Sequence, residues 1–186
     1  WADHLVRSYK YTYGMNITIS NCTNNIWPYQ FPEKIVPYFV LRLLHNLPLT
    51  VHGDGTNMRD YIHVSDHCEW IDKVLHKWKS WETYFFSTEK ETSNTEIAET
   101  ILKIMWKPKS MLTFIKDRQW NDSRYAMYYN KSKKELWWQP KHNFEESIKE
   151  TIDWYLNNEK WYKKIWQKLH KELIQILLVF SRLLAT

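Results

Sequence analysis

The sequence predicts an α/β protein, because β-rich runs and amphipathic helical runs alternate along most of its length. In the helical runs, apolar residues recur three or four positions apart, whereas the β-rich runs are short and carry Ile, Val, Tyr, Phe and Thr. The chain has 186 residues, 44% of them hydrophobic and 25% charged, so it can bury a core of ordinary composition. One domain, or one and a half, is expected from this length.

The first half of the chain offers three helices and three strands with recognisable ends. Gly14 favours the end of the first helix, since glycine accepts a left-handed backbone there, and Pro32 suits the first turn of the second. A Gly-Asp-Gly turn at 53–55 separates two strand-like runs, and Ser65 and Asp66 are the expected cap of the helix that follows. The predicted spans are helices 2–13, 32–46 and 67–78 and strands 16–22, 49–55 and 59–64.

The second half continues the alternation and ends in a different kind of segment. Asn143 is the expected cap of one long final helix. The predicted spans are strands 82–88 and 111–117 and helices 94–105, 130–138 and 143–165. Residues 166–186 contain an apolar run too short to cross a bilayer, which requires about 20 apolar residues. We interpret 166–186 as a tail of uncertain origin.

Charge and cysteine usage restrict the possible partners. The net charge of +5 permits an anionic ligand, but the lysines are scattered among acidic residues through the predicted helices. This pattern is typical of solvated helix surfaces, so neither nucleic acid nor membrane is expected as a partner. Cys22 and Cys68 have no CxxC spacing and are expected to be buried thiols, with no metal site. Without a secretory signal, a cytoplasmic, reducing location is predicted.

Three polar segments are candidate binding sites on residue chemistry alone. Asn24 and Asn25 end a β-rich run, where amides suit polar ligand groups, and Lys34 at a helix start can meet a phosphate. Arg59 follows the Gly-Asp-Gly turn and could either bind a phosphate with both nitrogens or pair with a neighbouring aspartate. The dense run 117–124 is either an ion-pair network or part of a polar ligand site.

Six segments, in order along the chain, resemble the nucleotide-sugar dehydratases and epimerases of the extended short-chain dehydrogenase/reductase class. They are NCTNNIWPYQFPEK, HGDGTNMRDYIHV, FSTEKETSN, DRQWNDSRYA, ELWWQP and IDWYLNN. One such motif is weakly specific, whereas six in register are strongly so. The resemblance runs from about Ala2 to Ile165. It implies the C-terminal portion of such an enzyme: an incomplete Rossmann sheet, with a remnant of the NAD-binding domain at 1–48 and a smaller mixed α/β substrate-binding domain at 49–165.

The resemblance also implies an activity. The family oxidises a nucleotide-linked sugar at C4 with NAD, eliminates water across C5 and C6, and returns the hydride to C6. It implies an NAD-dependent lyase of deoxysugar biosynthesis, with dTDP-linked glucose as substrate and a homodimer for the full-length enzyme. The family's glycine-rich fingerprint and Tyr-x-x-x-Lys pair are expected to precede Trp1, so this chain would lack both, carry no catalytic residue and be inactive alone. Another nucleotide-sugar enzyme of this fold, or a non-catalytic nucleotide- or nucleic-acid-binding module, remains an alternative.

Binding residues are implied by the same motifs. Asn25 is the expected contact of the nicotinamide end of NAD, and Arg59 the expected contact of the diphosphate. The residues expected to bind the nucleotide sugar are Asn24, Lys34, Ile35, Thr50, Val51, His52, Arg59, Asn94, Asp117, Arg118 and Asn121. Residues 50–52 would line the thymine pocket, and the loop 117–121 would close over the nucleotide. His52 stands where the family has tyrosine, so weaker or altered binding is expected.

Tryptophan is unusually frequent in this chain and glycine unusually rare. There are 12 tryptophans and 3 glycines, although ordinary usage of about 7% predicts about 13 glycines. Six tryptophans fall where the resembling family is glycine-rich: Trp27, Trp78, Trp81, Trp106, Trp120 and Trp137. A side chain at a left-handed position costs about 1–2 kcal/mol, so six such changes would remove much of a stability of about 5–15 kcal/mol. We hypothesise that these are UGA codons read as glycine in the source organism.

Overall fold

The computed structural model describes residues 1–77 and 79–167, and it confirms the predicted α/β class. The helices are α1 (Ala2–Tyr13), α2 (Ile35–Leu44), α3 (Val64–Lys77), α4 (Asn94–Ile104), α5 (Asn130–Leu136) and α6 (Phe144–Asn157), with a 3-10 helix at Lys109–Met111. The strands are β1 (Ile19–Cys22), β2 (Asn24–Ile26), β3 (Leu49–His52), β4 (Met58–His63), β5 (Thr83–Phe86), β6 (Glu91–Ser93), β7 (Leu112–Ile115) and β8 (Arg124–Tyr125). Most of the predicted tail 166–186 lies outside the described residues.

The strands of the described residues form three sheets. β1 pairs with β5, and β3 pairs with β7, both in parallel. β4 pairs through its first half with β6, antiparallel, and β8, parallel, and through its second half with β2, parallel. The pairs β1–β5 and β2–β4 therefore join strands from the two sides of residue 48. The division into segments 1–48 and 49–165 stays a prediction.

Two hydrophobic clusters hold these elements together. The larger lies where α2, α4 and α6 pack around β3. Because α2 is apolar on several sides, Val40, Leu41 and Leu43 are all fully buried. The smaller cluster joins α3, β5 and α5 through Trp70, Phe86 and Leu136, and Trp138 joins it just after α5. Since α2 and β3 are anchored in the larger cluster, the polar residues at their ends have fixed positions.

Several helix ends confirm the predicted capping. Gly14 ends α1 with a φ of 63° and donates its N–H to Lys10 O. Asn143 caps α6 through a capping box with Glu146, in which each side chain accepts from the other's backbone N–H. Ser93 and Glu96 form the same arrangement at α4. These sequence signals are local, which is why they could be read without tertiary information.

Other expectations were wrong. The predicted cap at Ser65 and Asp66 lies inside α3, which begins at Val64. Asp66 is instead buried and accepts hydrogen bonds from the backbone N–H groups of Lys141 and His142, 3.0 Å each. The single long helix 143–165 is interrupted, because α6 ends at Asn157 and a second helical segment occupies 159–167.

The prediction that both cysteine thiols are buried was wrong. Cys22 is half-buried, at the end of β1, and Cys68 is exposed on α3. Burial raises the pKa of the Cys22 thiol, so this group stays protonated at neutral pH.

Four of the six tryptophans singled out in the sequence occupy left-handed backbone positions. Their φ angles are 78° for Trp81, 54° for Trp106, 61° for Trp120 and 54° for Trp137. Their exposed fractions are 44%, 93%, 97% and 82% in the same order, whereas Trp70 and Trp138 are buried. Trp27 has no positive φ, and Trp78 lies outside the described residues. Exposed indoles at left-handed positions support the glycine hypothesis at these four sites.

Buried His63, which packs against the partly exposed His142, predicts sensitivity to acid. The rings of His63 and His142 lie 4.3 Å apart, and His63 Nε2 lies 3.3 Å from Glu150 Oε2 without forming a hydrogen bond among the described residues. Burial lowers the pKa of His63, and the neighbouring Glu150 only partly opposes this shift. Since the unfolded chain binds the proton more readily, stability present at neutral pH is lost as the pH falls below about 6.5.

We expect the free energy of unfolding to decrease as the pH falls from 7 to 5. The slope of this free energy against pH should be smaller in His63→Gln. Urea denaturation at several pH values measures both slopes. Burial also lowers the pKa of His67, so part of the slope should remain in the variant. An identical slope in the two proteins would contradict the assignment to His63.

Candidate functional site

A cleft of about 770 Å³ lies beside α2 and β3. Nine of the predicted binding residues line this cleft: Asn24, Lys34, Ile35, Thr50, Val51, His52, Asn94, Arg118 and Asn121. They come from distant parts of the sequence, so the fold brings together residues that the motifs identified separately. Three predicted residues, Asn25, Arg59 and Asp117, are not among its lining residues.

Strand register places the polar residues of one wall side by side. Asn24 on β2 is the direct neighbour of Tyr61 on β4, and both line the cleft. Asn24 Nδ2 donates to Asp60 O at 3.2 Å, which fixes the amide while its Oδ1 has no hydrogen-bond partner in the part of the chain that the structure describes. This wall therefore offers an oriented amide oxygen.

The ends of β3 and β7 supply another part of the lining. His52 and Ile115 are register partners at the ends of these parallel strands, and both line the cleft. His52 Nδ1 lies 3.3 Å from Lys116 O, and the imidazole is exposed. The carboxyl ends of parallel strands are the usual ligand-binding edge of α/β sheets.

Positive charge predominates among the lining side chains. Lys34, Arg42 and Arg118 face the space, against the single carboxylate of Glu33. Lys34 Nζ lies 2.9 Å from Glu33 Oε1, and both side chains remain more than half exposed, so this ion pair is weak and separable. Such a lining favours an anionic group of the phosphate or diphosphate type.

The loop 117–121 is held by its own side chains. Asp117 Oδ1 accepts from Arg118 N and from Asn121 Nδ2, each at 2.9 Å. Gly53 packs against this loop with a φ of 64°, and a Cβ at Gly53 would lie 3.1 Å from the Asp117 carboxylate. Asp117 thus supports the loop while Arg118 and Asn121 reach the cleft.

Arg59 forms a hydrogen bond to the backbone just after this loop. Its Nη2 donates to Asp122 O at 2.7 Å, and its Nη1 donates to Met58 O at 2.8 Å. It forms no ion pair with another described residue, so the alternative of a surface pair with a neighbouring aspartate is not what the structure shows. The predicted diphosphate contact by Arg59 stays a prediction.

Asn25 is the central residue of β2 and does not line the cleft, but its side chain contacts Cys22 at the carboxyl end of β1. Its Oδ1 lies 2.9 Å from His67 Nδ1, and its Nδ2 lies 3.4 Å from Cys22 Sγ and 3.3 Å from Thr23 O. Gln30 Nε2 donates to Asn25 O at 3.0 Å, so the turn after β2 is fixed at several points. The predicted cofactor contact is therefore an ordered amide within β2, beside the carboxyl end of β1.

Sequence reasoning missed several lining residues. Tyr38 and Arg42 follow the predicted Ile35 by three and seven positions, so they share its face of α2, and this spacing could have identified them. The Arg42 Nη1 donates to Tyr38 Oη at 3.0 Å. Tyr61 lies within the quoted HGDGTNMRDYIHV motif but was not singled out. Trp166 belongs to the predicted tail, which carried no signal of a site.

A Tyr-x-x-x-Lys spacing occurs at Tyr129, the residue before α5, and Lys133 within it. The expectation that this chain lacks the family's own catalytic pair stays a prediction. Tyr129 is buried in the smaller cluster, where its ring packs edge-on against Trp138. Neither residue lines the cleft. Tyr129 therefore has a structural role in the smaller cluster.

Parallel strand pairs between helices, with a polar, cationic cleft beside the end of β3, are typical of the α/β fold of the extended short-chain dehydrogenase/reductase class. The chain belongs to the GDP-mannose 4,6 dehydratase family, whose sequence model matches residues 1–151. In residues 1–77 and 79–167, no helix has the length and apolar character needed to cross a membrane.

Individual proteins of this family resemble the chain over most of its length. The chain is 40% identical over 173 residues to the dTDP-glucose 4,6-dehydratase of Xanthomonas campestris pv. campestris, covering 88% of this chain and 49% of that protein. An Escherichia coli dTDP-glucose 4,6-dehydratase is 38% identical over 171 residues, with 88% and 47% covered. The chain spans about half the length of the curated relatives it matches.

Solved structures agree with the sequence comparison. The crystal structure of dTDP-glucose 4,6-dehydratase from Bacillus anthracis in complex with NAD superposes with a TM-score of 0.83 at 40% identity, over 88% of this chain and 52% of that one. The Streptomyces venezuelae dTDP-glucose 4,6-dehydratase, crystallised with NAD bound, gives a TM-score of 0.83 at 35% identity, over 86% and 50%. The predicted fold and family resemblance are both confirmed.

Proposed function

We propose that this chain carries the nucleotide-sugar-binding part of an NAD-dependent dTDP-glucose 4,6-dehydratase, a hydro-lyase that forms dTDP-4-keto-6-deoxyglucose. The observation that carries the proposal is the convergence of nine motif-derived residues on one cationic cleft. The names and folds of the relatives support the same activity. The relatives are about twice as long, so the activity is proposed for a protein that includes this chain.

The lining suggests how the substrate is held. Lys34 and Arg118 would neutralise the diphosphate, whose charge suits the predominantly positive cleft. Residues 50–52 would lie along the thymine base at the end of β3. Asn24 would accept a hydrogen bond from the sugar. The Asp117–Asn121 loop would cover the nucleotide and reduce its contact with water.

NAD is the proposed cofactor, and the residues around Asn25 fit its nicotinamide end. The amide lies at the carboxyl end of β1, the edge of an α/β sheet at which dinucleotides bind. When bound, NAD accepts a hydride from the sugar and returns it. Asn25 would contribute orientation only, held by His67. The chain contributes no catalytic residue in this proposal, so it should be inactive alone.

The wider setting follows from the same proposal. A cytoplasmic enzyme of deoxysugar biosynthesis, such as that leading to rhamnose, remains the predicted context. A homodimer of the full-length enzyme also remains a prediction. Leu5 and Tyr9 of α1, and Leu75 of α3, are exposed apolar side chains that a further protein surface could cover.

Calorimetric titration of the chain tests the proposal. We expect dTDP-glucose to bind more tightly than UDP-glucose or CDP-glucose, since the proposed base pocket is specific for thymine. Lys34→Gln should weaken dTDP-glucose binding by roughly tenfold, equivalent to about 1.4 kcal/mol, because it removes a charge at the diphosphate. Lys149→Gln, on the exposed face of α6, is the matched control and should bind as the parent chain does.

Three results would contradict the proposal. Tighter binding of UDP-glucose or CDP-glucose would favour another nucleotide-sugar enzyme of the same fold. Absence of binding to all three would remove the substrate-binding role. Tight binding of an oligonucleotide that weakens steeply with salt would favour a nucleic-acid-binding module instead.

A further inference from the structure

Tyr61 combines a buried ring with a hydroxyl at the cleft. It lies on β4, is only 9% exposed, and packs in the larger core cluster with its ring centroid 5.9 Å from that of Phe144. It is nevertheless one of the residues that line the cleft. Its ring is thus held by the core, and its position at the cleft does not depend on a mobile loop.

The Tyr61 hydroxyl has no hydrogen-bond partner among residues 1–77 and 79–167. Other largely buried tyrosines do: Tyr155 donates to Gln30 O, and Tyr84 donates to Glu135 Oε2 at 3.0 Å. Unlike Trp70 Nε1 and Trp138 Nε1, the Tyr61 hydroxyl is not a fully enclosed unpaired atom, so it remains accessible from the cleft that Tyr61 lines. Burial raises the pKa of Tyr61 to about 12, so the group remains a hydrogen-bond donor at neutral pH. A donor in a ligand cleft without a protein partner is expected to meet a ligand.

The neighbour of Tyr61 indicates the kind of ligand group. Asn24, its register partner on β2, also lines the cleft, and Asn24 Nδ2 is already bound to Asp60 O. The pair therefore presents one donor, the tyrosine hydroxyl, and one acceptor, the amide oxygen. A sugar hydroxyl both donates and accepts, so it satisfies both groups. A phosphate oxygen only accepts and would be repelled by the amide oxygen.

We propose that Tyr61 is a further ligand-binding residue, whose hydroxyl acts with Asn24 Oδ1 to hold a hydroxyl group of a sugar ring of the bound nucleotide sugar. This inference rests on the proposed function, because it needs a nucleotide sugar in the cleft. Both the hexose and the deoxyribose carry such hydroxyl groups, and titration with dTDP-glucose and with dTDP separates the two.

Tyr61→Phe tests the inference, since it removes the hydroxyl and keeps the ring in the core. Calorimetric titration of the chain should show dTDP-glucose binding about three- to tenfold more weakly to the variant, as expected for one lost hydrogen bond. The thermal unfolding midpoint should stay close to that of the parent chain. Tyr162→Phe, a buried tyrosine of the same core cluster that does not line the cleft, is the matched control and should leave affinity unchanged.

Further titrations separate the possible outcomes. Loss confined to dTDP-glucose would assign the contact to the hexose, whereas an equal loss with dTDP would assign it to the deoxyribose. Equal loss with inorganic pyrophosphate would show a phosphate contact and overturn the assignment to a sugar. Parent-like binding of both nucleotides by Tyr61→Phe would overturn the inference and leave the proposed function intact. If the parent chain binds neither, both proposals fall.

Discussion

Replacing Trp137 with glycine is expected to stabilise the chain, whereas the same replacement at the adjacent Trp138 is expected to destabilise it strongly. Trp137 follows α5 with φ 54° and ψ 44°, a left-handed position that glycine usually occupies at helix ends. Its side chain is 82% exposed, so little packing is lost. Relieving about 1–2 kcal/mol of strain outweighs the glycine entropy penalty of about 0.5–1 kcal/mol, leaving a net gain of about 0.5–1 kcal/mol.

Trp138 has the opposite environment. It is 2% exposed, and its ring centroid lies 4.0 Å from that of Phe86 in the smaller core cluster. Removing the indole leaves a cavity, and such truncations cost about 3–5 kcal/mol. Urea denaturation of Trp137→Gly, Trp138→Gly and the parent chain measures both effects. Destabilisation by Trp137→Gly comparable to that of Trp138→Gly would contradict the account.

Glycine is also expected to stabilise the other three left-handed sites. Trp81, Trp106 and Trp120 share the positive φ and substantial exposure of Trp137. Trp106, Trp120 and Trp137 lie in different loops and helix ends, so their effects should add, and the threefold glycine variant should gain about 1.5–3 kcal/mol. Trp81→Gly should gain less, because the Trp81 ring also packs against Lys10 and Tyr11. Mass spectrometry of the protein from its natural source should find glycine at these positions. Tryptophan at all four would disprove the codon hypothesis.

Replacing Asp60 with alanine is the second change with a large expected effect. Asp60 is fully buried next to Arg59 and Tyr61, and its Oδ2 accepts from Thr88 N at 2.9 Å and from Glu89 N at 3.2 Å. Its Oδ1 accepts from the Thr88 hydroxyl. Truncation leaves these donors unpaired, so we expect Asp60→Ala to lower the free energy of unfolding by about 2–4 kcal/mol.

Two further variants test whether the loss of stability comes from the buried hydrogen bonds of Asp60. Asp60→Asn keeps one oxygen acceptor and should lose roughly half as much as Asp60→Ala. Asp54→Ala is the matched control, because Asp54 is exposed and accepts from Thr56 N at 3.0 Å in its own turn. It should lose less than about 1 kcal/mol. Equal losses at positions 54 and 60 would show that burial of the Asp60 network does not matter.

The parts of the fold that could be predicted are those with local signals. Gly14 and Asn143 mark helix ends through their own backbone chemistry, and the apolar spacing of α2 and α4 is visible in the sequence. The start of α3 was misplaced because Ser65 and Asp66 look like a cap, whereas Asp66 bonds to a segment 75 residues away. The short strands β6 and β8 were missed, because each exists only through pairing with β4.

The residues of the candidate site also divide into those that local motifs predict and those that depend on distant contacts. The motifs identified residues that line the cleft, such as Asn24 and Thr50, because a motif fixes both the type of a residue and its place along its strand. They could not reveal that the Arg59 guanidinium bonds to Asp122 O, since side-chain direction depends on a loop 63 residues away. Tyr61 was not predicted, because its proposed role depends on the lack of a protein hydrogen-bond partner for its hydroxyl, which only the folded structure can show.

The most direct test of the central claim is the amide spectrum of the isotopically labelled chain during titration with dTDP-glucose. The account predicts saturable shifts concentrated at Asn24, Lys34, residues 50–52, Asn94 and the loop 117–121. Residues far from the cleft, such as those of α1, should not shift. Shifts confined to other surfaces, or no shifts at concentrations that saturate a related dehydratase, would contradict the claim that this cleft binds the nucleotide sugar.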